Sequence, residues 1–394
     1  MSNINITFLG TASAQPSRTR NHSALALRLN GDVWLFDCGE GTQHQIQKSS
    51  VKMGRVSKVF ITHTHGDHIF GLLPLLASRL NGAGGMVDES SDPRASGVLD
   101  SEVTILQPLE IYGPSGTRAY VRTGLLYTHT LLSSSYVVHE LWSPNDQPDP
   151  LLASLPRPTA ELPGRDIQRI DGTWPEIHKD ATFSVSAAPI LHSVPCVGYV
   201  ITEAAIPGKI DPKQYIPHLK RTGTPMSAMR QLQQGESVVL SDGTILQGPP
   251  KRTGRKLVVL GDTYDPSPIT ELAMHADVLI HEATNAHLPG IDPETKPNDT
   301  YPIVEERSKS RGHSTPQMAG LFAARVNARK LVLNHFSSRY AGDYDPATQH
   351  GDQRPAAKET MEAIRALAQS HFSGPVICAR DFMTFDVQYS HGVQ

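Results

Sequence analysis

The chain has 394 residues, of which 38% are hydrophobic and 19% charged, a balance typical of a globular protein with a large buried core. The net charge of −3 argues against a uniformly basic surface, and the absence of any run of about 18 apolar residues argues against a membrane span. Three scattered cysteines, Cys38, Cys196 and Cys378, favour a reducing compartment over a disulfide framework. We see no signal peptide and expect a cytosolic protein, with nucleus and mitochondrion left open.

Short apolar or β-branched runs bounded by turn residues predict strands at residues 4–9, 24–29, 33–37, 59–62, 109–113, 183–188, 197–202, 257–261, 278–282, 330–334 and 382–387. Apolar residues at three- and four-residue spacing predict helices at 42–48, 70–79, 116–126, 316–326 and 356–369. Because strands and helices alternate along the chain, the sequence predicts a layered α/β fold in a single domain over residues 1–394.

Four segments fall outside this alternation. We expect surface insertions at 81–102, which is rich in Gly, Ser and Asp, and at 289–310. Residues 143–180 contain seven prolines and predict an extended covering loop. Residues 206–256 differ because they concentrate positive charge. Between residues 209 and 230, Asp211 is the one acidic residue and the cations are Lys209, Lys213, Lys220, Arg221 and Arg230.

The run His63-Thr64-His65-Gly66-Asp67-His68 lies between a predicted strand and a predicted helix, where α/β proteins place their sites. Imidazole nitrogens and a carboxylate oxygen suit zinc. His63 and His65 alternate as on an extended strand and can face one ion. Asp67 and His68 follow the Gly66 turn and can reach a second. The alternative, a solvated histidine-rich loop, would leave this polar cluster without a ligand.

The pattern HxHxDH after an apolar strand resembles the signature of the metallo-β-lactamase superfamily. Further matches are TFLGT at 7–11, FDCGEGTQ at 36–43, GDT at 261–263, HEAT at 281–284, HST at 313–315 and HFSSRY at 335–340. Together these motifs resemble the ribonuclease Z family, endonucleases that remove 3′ trailers from precursor transfer RNA. The resemblance implies a four-layer αβ/βα sandwich with an inserted basic arm at 206–256.

The same resemblance implies the remaining metal ligands, each of which follows a predicted strand. The expected ligands are His63, His65 and His192 for one zinc ion and Asp67, His68 and His335 for the other, with Asp262 as the bridge. Without the resemblance, His192 is better interpreted as a hydrogen-bonded edge histidine and Asp262 as a turn or helix-capping residue. We therefore expect two zinc ions per subunit, although manganese suits the same ligands.

Two such ions, about 3.5–4 Å apart, can lower the pKa of a shared water and stabilise the attacking and leaving oxygens of an in-line displacement. We expect a metal-bridging hydroxide to attack the phosphodiester and Asp67 to take its proton. By the resemblance, His313 donates a proton to the leaving 3′ oxygen and Glu282 orients His313. A helix-capping role is the alternative for His313.

The basic segment occupies the position of the family's flexible arm, which grips the transfer RNA elbow. Phosphate contacts from such cations give affinity without reading sequence, and structured RNA is recognised by its shape. The family's Gly-Pro pair is missing, since residues 222–227 read TGTPMS. The loop at 16–21 resembles one that discriminates mature CCA ends, with Arg18 and Arg20 as its cations. An ordinary solvated loop is the alternative for both segments.

The sequence thus predicts a zinc-dependent endoribonuclease that cleaves precursor transfer RNA after the discriminator nucleotide and leaves a 3′-hydroxyl. Resemblance to the short form of the family implies a homodimer in which one subunit's arm serves the other's site. No membrane or DNA partner is expected. The alternatives are a phosphodiesterase of the same fold acting on small cyclic or nucleotide phosphodiesters, a non-catalytic RNA-binding homologue and, more remotely, a thioester hydrolase.

Overall fold

The computed structural model describes residues 3–81, 107–148, 150–342 and 354–389. Its strands are β1 (Ile4–Gly10), β2 (Ala12–Ser13), β3 (Ala24–Leu29), β4 (Asp32–Phe36), β5 (Val56–Phe60), β6 (Leu109–Pro114), β7 (Tyr136–Trp142), β8 (Glu161–Leu162), β9 (Asp166–Gln168), β10 (Trp174–Lys179), β11 (Phe183–Ile190), β12 (Cys196–Glu203), β13 (Ser237–Val239), β14 (Ile245–Gln247), β15 (Lys256–Val259), β16 (Val278–Glu282), β17 (Leu331–Asn334), β18 (Phe336–Ser337), β19 (Val376–Cys378) and β20 (Thr384–Asp386). Its helices are α1 (Thr42–Lys48), α2 (Gly66–Ile69), α3 (Leu72–Leu80), α4 (Thr117–Tyr127), α5 (Pro150–Ser154), α6 (Pro212–Thr222), α7 (Ala228–Gln233), α8 (Thr270–Ala273), α9 (Tyr301–Ser310), α10 (Pro316–Arg325) and α11 (Arg354–Gln369).

Two large sheets contain most of these strands. The first has the order β20-β1-β3-β4-β5-β6-β7-β8, with β9 also paired to β7, and the second has the order β10-β11-β12-β15-β16-β17-β19. Strands β4 to β7 run parallel in the first sheet, as do β15, β16, β17 and β19 in the second. The carboxyl ends of parallel strands meet at one edge of a sheet, which is where α/β proteins place their functional loops.

The side chains of the two sheets form an inner core and two outer cores. In β1, Ile4, Ile6 and Phe8 belong to the inner core between the sheets, whereas Leu9 belongs to an outer core with α1, α3 and α4. The second sheet packs its outer face against α8, α10 and α11. The resulting order of helix, sheet, sheet and helix is the four-layer sandwich that the resemblance implied.

The predicted strands and helices all occur, with boundaries shifted by no more than three residues. The helix predicted at 70–79 is α3, and the short helix α2 that precedes it was not predicted. Strand β7 was not predicted, although it pairs with β6, β8 and β9. No described helix has the length and apolar character needed to cross a membrane. The insertion predicted at 81–102 lies, apart from Asn81, outside the described residues.

The covering loop predicted at 143–180 is wrong for much of its length, because this segment contains α5, β8, β9 and β10. Strands β8 and β9 pair with β7, while β10 pairs with β11 at the edge of the second sheet. Pro175 lies in that edge strand, where a missing N–H group is tolerated. Pairing with long, buried neighbours therefore orders a segment whose own composition predicts a loop.

The insertion predicted at 289–310 ends in a regular helix, α9. Pro302 lies in the first turn of this helix, where a proline costs no intrahelical hydrogen bond. Only Val304 and Ser308 are buried in α9. The helix consequently lacks the apolar stripe by which a helix is recognised in a sequence.

The basic segment at 206–256 folds as an inserted unit, called the arm below. An isolated bridge between Ile206 and Arg252 closes its base. Helices α6 and α7 and the hairpin of β13 and β14 surround a small core that is separate from the three cores of the sandwich. This core consists of Leu219, Ala228, Leu232, Val238 and Leu240. So few apolar residues are too short a pattern to predict these elements from the sequence.

Candidate metal centre

The predicted metal ligands lie beyond the carboxyl ends of strands from both sheets, in loops or, for Asp67 and His68, in the short helix α2. They are His63, His65, Asp67 and His68 after β5, His192 between β11 and β12, Asp262 after β15 and His335 directly after β17. Residues up to 272 positions apart in the chain thus meet at one edge of the sandwich.

His63, His65 and His192 form the first set of converging donor atoms. The Nδ1 atom of His65 lies 3.2 Å from Nε2 of His63 and 3.2 Å from Nε2 of His192. On its other side, the His63 ring places Nδ1 3.0 Å from the Thr62 hydroxyl. His192 Nδ1 donates to the Gly312 carbonyl at 2.7 Å. Holding the outer ring nitrogen in this way directs the inner one towards a shared point, as in metal-binding histidines.

Asp67, His68, Asp262 and His335 form the second set. The Nε2 atoms of His68 and His335 are 3.1 Å apart, and each lies 3.3 Å from Oδ1 of Asp262. Asp67 Oδ2 lies 3.4 Å from His335 Nε2. The same oxygen accepts a hydrogen bond of 2.7 Å from the backbone N–H of Ala14, which holds the carboxylate in place.

Asp262 is the side chain shared by the two sets. Its Oδ1 faces the second set, while its Oδ2 lies 3.7 Å from His63 Nε2 and 4.0 Å from His192 Nε2. A carboxylate that presents one oxygen to each set has the geometry of a bridging ligand. Five imidazoles and two carboxylates in this arrangement suit two zinc ions, since zinc prefers nitrogen and oxygen ligands of this kind.

Asp37 and Thr284 support the second set, and neither was predicted as a functional residue. Asp37 accepts a hydrogen bond of 2.6 Å from His68 Nδ1 and one of 2.8 Å from the backbone N–H of Thr62. The Thr284 hydroxyl lies 3.1 Å from His335 Nδ1. The signal for Asp37 was present in the sequence, because a carboxylate that follows a buried strand lies at the same sheet edge as the histidine run.

Charges within this buried centre favour a cation. Burial lowers the pKa of His68, but the carboxylates of Asp262 and Asp37 outweigh burial and raise it well above its usual value. Burial raises the pKa of Asp262, yet His335 and His68 hold it well below the usual range. For His63, burial and the charge of His68 both lower the pKa. These carboxylates stabilise a positive charge at His68. A metal ion can replace the proton that carries this charge.

His313 lies beside the second set and is paired with Glu282. Its Nδ1 is 3.1 Å from Glu282 Oε1 and 3.7 Å from Asp262 Oδ2. Glu282 is itself held by hydrogen bonds from the Thr263 N–H at 2.7 Å and the Thr284 hydroxyl at 2.6 Å. Burial lowers the pKa of His313, but the charge and hydrogen bond of Glu282, together with Asp262, raise it to about 9. Glu282 and Asp262 thus favour the doubly protonated imidazolium form of His313.

A cleft of about 550 Å³ opens onto this centre, so that a substrate can reach both donor sets. Its lining residues are Ser13, Ala14, His22, His65, Gly66, Asp67, Phe70, Asp262 and His313. A second cavity of similar size, about 540 Å³, is lined by residues such as Tyr112, His139 and Arg165 and includes no predicted site residue.

The prediction that Arg20 contacts RNA is wrong, because the side chain is only 1% exposed. Its guanidinium donates to the Tyr340 carbonyl at 2.8 Å, the Thr11 hydroxyl at 2.7 Å and the Ala379 carbonyl at 3.0 Å. The guanidinium N–H groups that a phosphate would need are therefore already hydrogen-bonded to buried acceptors. Its neighbour Arg18 is exposed and stays a predicted RNA contact.

The predicted cations of the arm are exposed. They are Lys209, Lys213, Lys220, Arg221 and Arg230. Arg221 is paired with Asp242 at 2.7 Å. None of these cations is among the residues that line the metal-centre cleft. The structure therefore does not bring them to the metal centre of their own chain, and their role in RNA binding stays a prediction.

Comparison with known proteins identifies relatives of the chain over nearly its full length. It is 37% identical over 401 residues to zinc phosphodiesterase ELAC protein 1 from Bos taurus, with 98% of each chain covered. It is 33% identical over 392 residues to ribonuclease Z from Crocosphaera subtropica, again with 98% of each covered. A family profile described as anti-Pycsar protein Apyc1 matches residues 4–81, a span that includes the run from His63 to His68.

Solved structures agree with these relatives. The crystal structure of human tRNase Z, short form (ELAC1), matches with a TM-score of 0.59 and 31% identity, covering 98% of this chain and all of that chain. The metallo-β-lactamase fold protein YhfI from Bacillus subtilis matches with a TM-score of 0.52 and 15% identity, covering 98% of this chain and 100% of that chain. At that identity, the second likeness concerns the fold alone.

Proposed function

The chain belongs to the ribonuclease Z family, and on that premise we propose that it is a zinc-dependent endoribonuclease that removes the 3′ trailer of precursor transfer RNA. The observation that carries the proposal is the pair of donor sets that share Asp262, at the base of an open cleft. A centre for two ions beside a proton donor suits the in-line hydrolysis of a phosphodiester.

We propose two zinc ions per subunit. The first would be held by His63, His65 and His192 and the second by Asp67, His68 and His335, with Asp262 in contact with both. When bound, such ions lower the pKa of a shared water and stabilise negative charge on the phosphate. The outer ring nitrogens donate hydrogen bonds that keep the ligands oriented. The acceptors are the Gly312 carbonyl for His192, the Asp37 carboxylate for His68 and the Thr284 hydroxyl for His335.

The other roles belong to protein side chains at the edge of the cleft. Burial raises the pKa of Asp67, but His335 and His68 hold it well below the usual range, so the carboxylate is ionised and can accept a hydrogen bond from the attacking water. His313 would donate its proton to the departing 3′ oxygen through Nε2, since Glu282 engages Nδ1. With an oxygen from water added to phosphorus and a proton added to the leaving oxygen, the transfer RNA retains a 3′-hydroxyl.

Recognition of the transfer RNA would fall to surfaces outside the cleft. The five exposed arm cations and Arg18 offer positive charge for phosphate contacts without base reading. Because none of the arm cations lines the cleft of its own chain, we propose a homodimer in which the arm of one subunit holds the substrate of the other. The cytosol is the proposed compartment.

Cleavage of a precursor transfer RNA by the purified protein tests this function. We expect a single cut after the discriminator nucleotide, abolished by a chelator and restored by zinc, with loss of at least about 100-fold in kcat for His65→Ala. His44→Ala removes an exposed histidine of α1 outside the cleft and serves as the matched control. Equal cleavage by His65→Ala and the wild type, or a product ending in a 2′,3′-cyclic phosphate, would contradict the mechanism.

The rival function is hydrolysis of small cyclic or nucleotide phosphodiesters on the same metal centre. The profile match over 4–81 includes only the four ligands that follow β5, which both activities share, so it does not distinguish them. The basic arm distinguishes the two activities, because a small substrate has no use for cations outside the cleft. Precursor transfer RNA and a cyclic mononucleotide should be assayed side by side, and a higher kcat/KM for the mononucleotide would favour the rival.

A further inference from the structure

Phe70 is an exposed aromatic residue in the wall of the metal-centre cleft. Its side chain is 59% exposed, and it lines the cleft together with His65, Asp67 and His313. A single exposed apolar residue is common on a protein surface and means little alone. Here, however, the other lining side chains include candidate metal ligands and the proposed proton donor, so an uncovered ring lies where the substrate must enter.

The position of this ring is set by α2, the short helix that carries the proposed ligands Asp67 and His68. The backbone N–H of Phe70 donates to the Gly66 carbonyl at 2.9 Å. The ring lies against Gly66 so closely that a Cβ at position 66 would come within 2.2 Å of it. The ring of Tyr120 is also a neighbour, with its centroid 6.5 Å away and its plane inclined by 20°. The ring is therefore held at a defined place beside His65 and Asp67.

We propose that Phe70 is a stacking platform for the base of a nucleotide that adjoins the scissile phosphate. The inference rests on the proposed endoribonuclease function and adds a residue that positions the substrate. Every nucleobase has an apolar face, and unpaired bases at the end of an RNA are free to stack on an aromatic ring. A phenylalanine offers no hydrogen bond, so this contact orients the phosphate without selecting a base.

The matched variants are Phe70→Leu, which removes the ring and keeps apolar bulk, and Phe70→Trp, which keeps a stacking surface. Tyr127→Leu is the control, since Tyr127 is a 76% exposed aromatic residue at the end of α4 and does not line the cleft. Each protein is assayed for kcat/KM on precursor transfer RNA, and its zinc content is measured. We expect Phe70→Leu to lose about 5- to 150-fold in kcat/KM, the range that base stacking produces. Phe70→Trp and Tyr127→Leu should stay within about twofold of the wild type.

Substrates without a base separate stacking from a general structural effect. One precursor carries an abasic discriminator nucleotide and another an abasic first trailer nucleotide. If Phe70 stacks on one of these bases, the corresponding abasic substrate should be cleaved equally by the wild type and Phe70→Leu, and the other should still show the difference. The substrate for which the difference disappears identifies the side of the scissile phosphate on which the base stacks.

Three results would overturn the inference: an unchanged kcat/KM in Phe70→Leu, a loss that persists undiminished with both abasic substrates, or a loss accounted for by missing zinc. Failure of the wild-type protein to cut any precursor transfer RNA would instead refute the proposed function. Cleavage by the wild type is therefore measured before any Phe70 variant is compared.

Discussion

Single residues behind the proposed metal ligands determine how those side chains are oriented. His68 is oriented by Asp37, and His335 by Thr284. Thr284 also donates to Glu282, so one hydroxyl contacts both the candidate metal ligand His335 and the partner of His313. A change at position 284 would therefore disturb metal binding and proton donation together.

The pairing of His313 with Glu282 has a consequence for the pH dependence of catalysis. The pKa of His313 is raised to about 9, so the proton needed by the leaving oxygen is present below that pH and is lost above it. Glu282→Gln removes the charge that raises this pKa. We expect the alkaline limb of the kcat profile to move to lower pH in the variant, by about 1 unit or more.

Bound zinc would repel a proton on His313 and lower its pKa in the wild type and in Glu282→Gln alike. The test is therefore the difference in pH between the alkaline limbs of the two kcat profiles. Zinc content is measured for both proteins as the control. An alkaline limb at the same or higher pH in Glu282→Gln would show that His313 does not supply the proton.

Arg18 and Arg20 lie two positions apart yet have different surroundings. Arg20→Leu leaves two buried carbonyls without their donor, and we expect it to lower the free energy of unfolding by about 3 kcal/mol. Arg18→Leu, at an exposed position, should change stability by less than about 0.5 kcal/mol and weaken RNA binding instead. Denaturant unfolding and RNA titration measure the two effects. Unchanged stability with reduced RNA affinity in Arg20→Leu would contradict the structural role.

Among the elements, the arm shows how a small insertion can be folded and highly charged at once. Its core needs only five buried residues, so its remaining side chains are free to carry charge. The arm has nine lysines and arginines and three acidic residues. Of these acidic residues, Asp211 caps α6 by accepting from the Lys213 N–H at 3.0 Å, and Asp242 pairs with Arg221 at 2.7 Å. The arm therefore keeps a net positive charge that is available to a partner.

Removal of arm cations should weaken substrate binding and leave the chemical step intact. For the combined variant Lys213→Ala, Lys220→Ala and Arg230→Ala, we expect a raised KM for precursor transfer RNA and a kcat within about twofold of the wild type. The slope of log KM against log salt should fall by about 0.7–0.9 for each phosphate that the variant no longer neutralises. Lys358→Ala, an exposed lysine of α11, is the control. A lowered kcat with unchanged KM would place these cations outside RNA binding.

At the scale of the whole molecule, the metal centre requires both halves of the sandwich. The ligands after β5 come from the first sheet, and those after β15 and β17 come from the second. The inner core holds the two sheets together, with side chains such as Phe60 and Tyr199 packed edge to face at 5.3 Å. The geometry of the centre thus depends on the packing of the sheets as well as on its own residues.

The proposed dimer predicts that two inactive chains can complement each other. Backbone hydrogen bonds of 3.0 and 2.9 Å join Ile206 and Arg252, so residues 207–251 can be replaced by a short linker without separating the ends. The chain without its arm and the His65→Ala chain should each process precursor transfer RNA poorly. A mixture should recover activity, because the arm of one subunit serves the intact centre of the other.

Light scattering establishes whether the mixed dimer forms, and hydrolysis of a small phosphodiester confirms that the chain without its arm retains a working centre. Mixed dimers without recovered activity would contradict an arm that acts on its partner's site.

The sequence by itself predicted most strands and helices of the sandwich and the candidate ligand run from His63 to His68. Both are local patterns, since an apolar period or a motif is read within one segment. The distant ligands His192, Asp262 and His335 could be expected only through family resemblance, because nothing in their own surroundings required a metal.

Tertiary structure alone decided the burial of Arg20, the strands within 143–180 and the fold of the arm. Each depends on partners remote in the chain. Arg20 donates hydrogen bonds to the carbonyls of Tyr340 and Ala379, and β10 is a strand because it pairs with β11. Burial and strand pairing depend on which other segments pack beside a given segment in the folded protein. The composition of that segment therefore does not predict them.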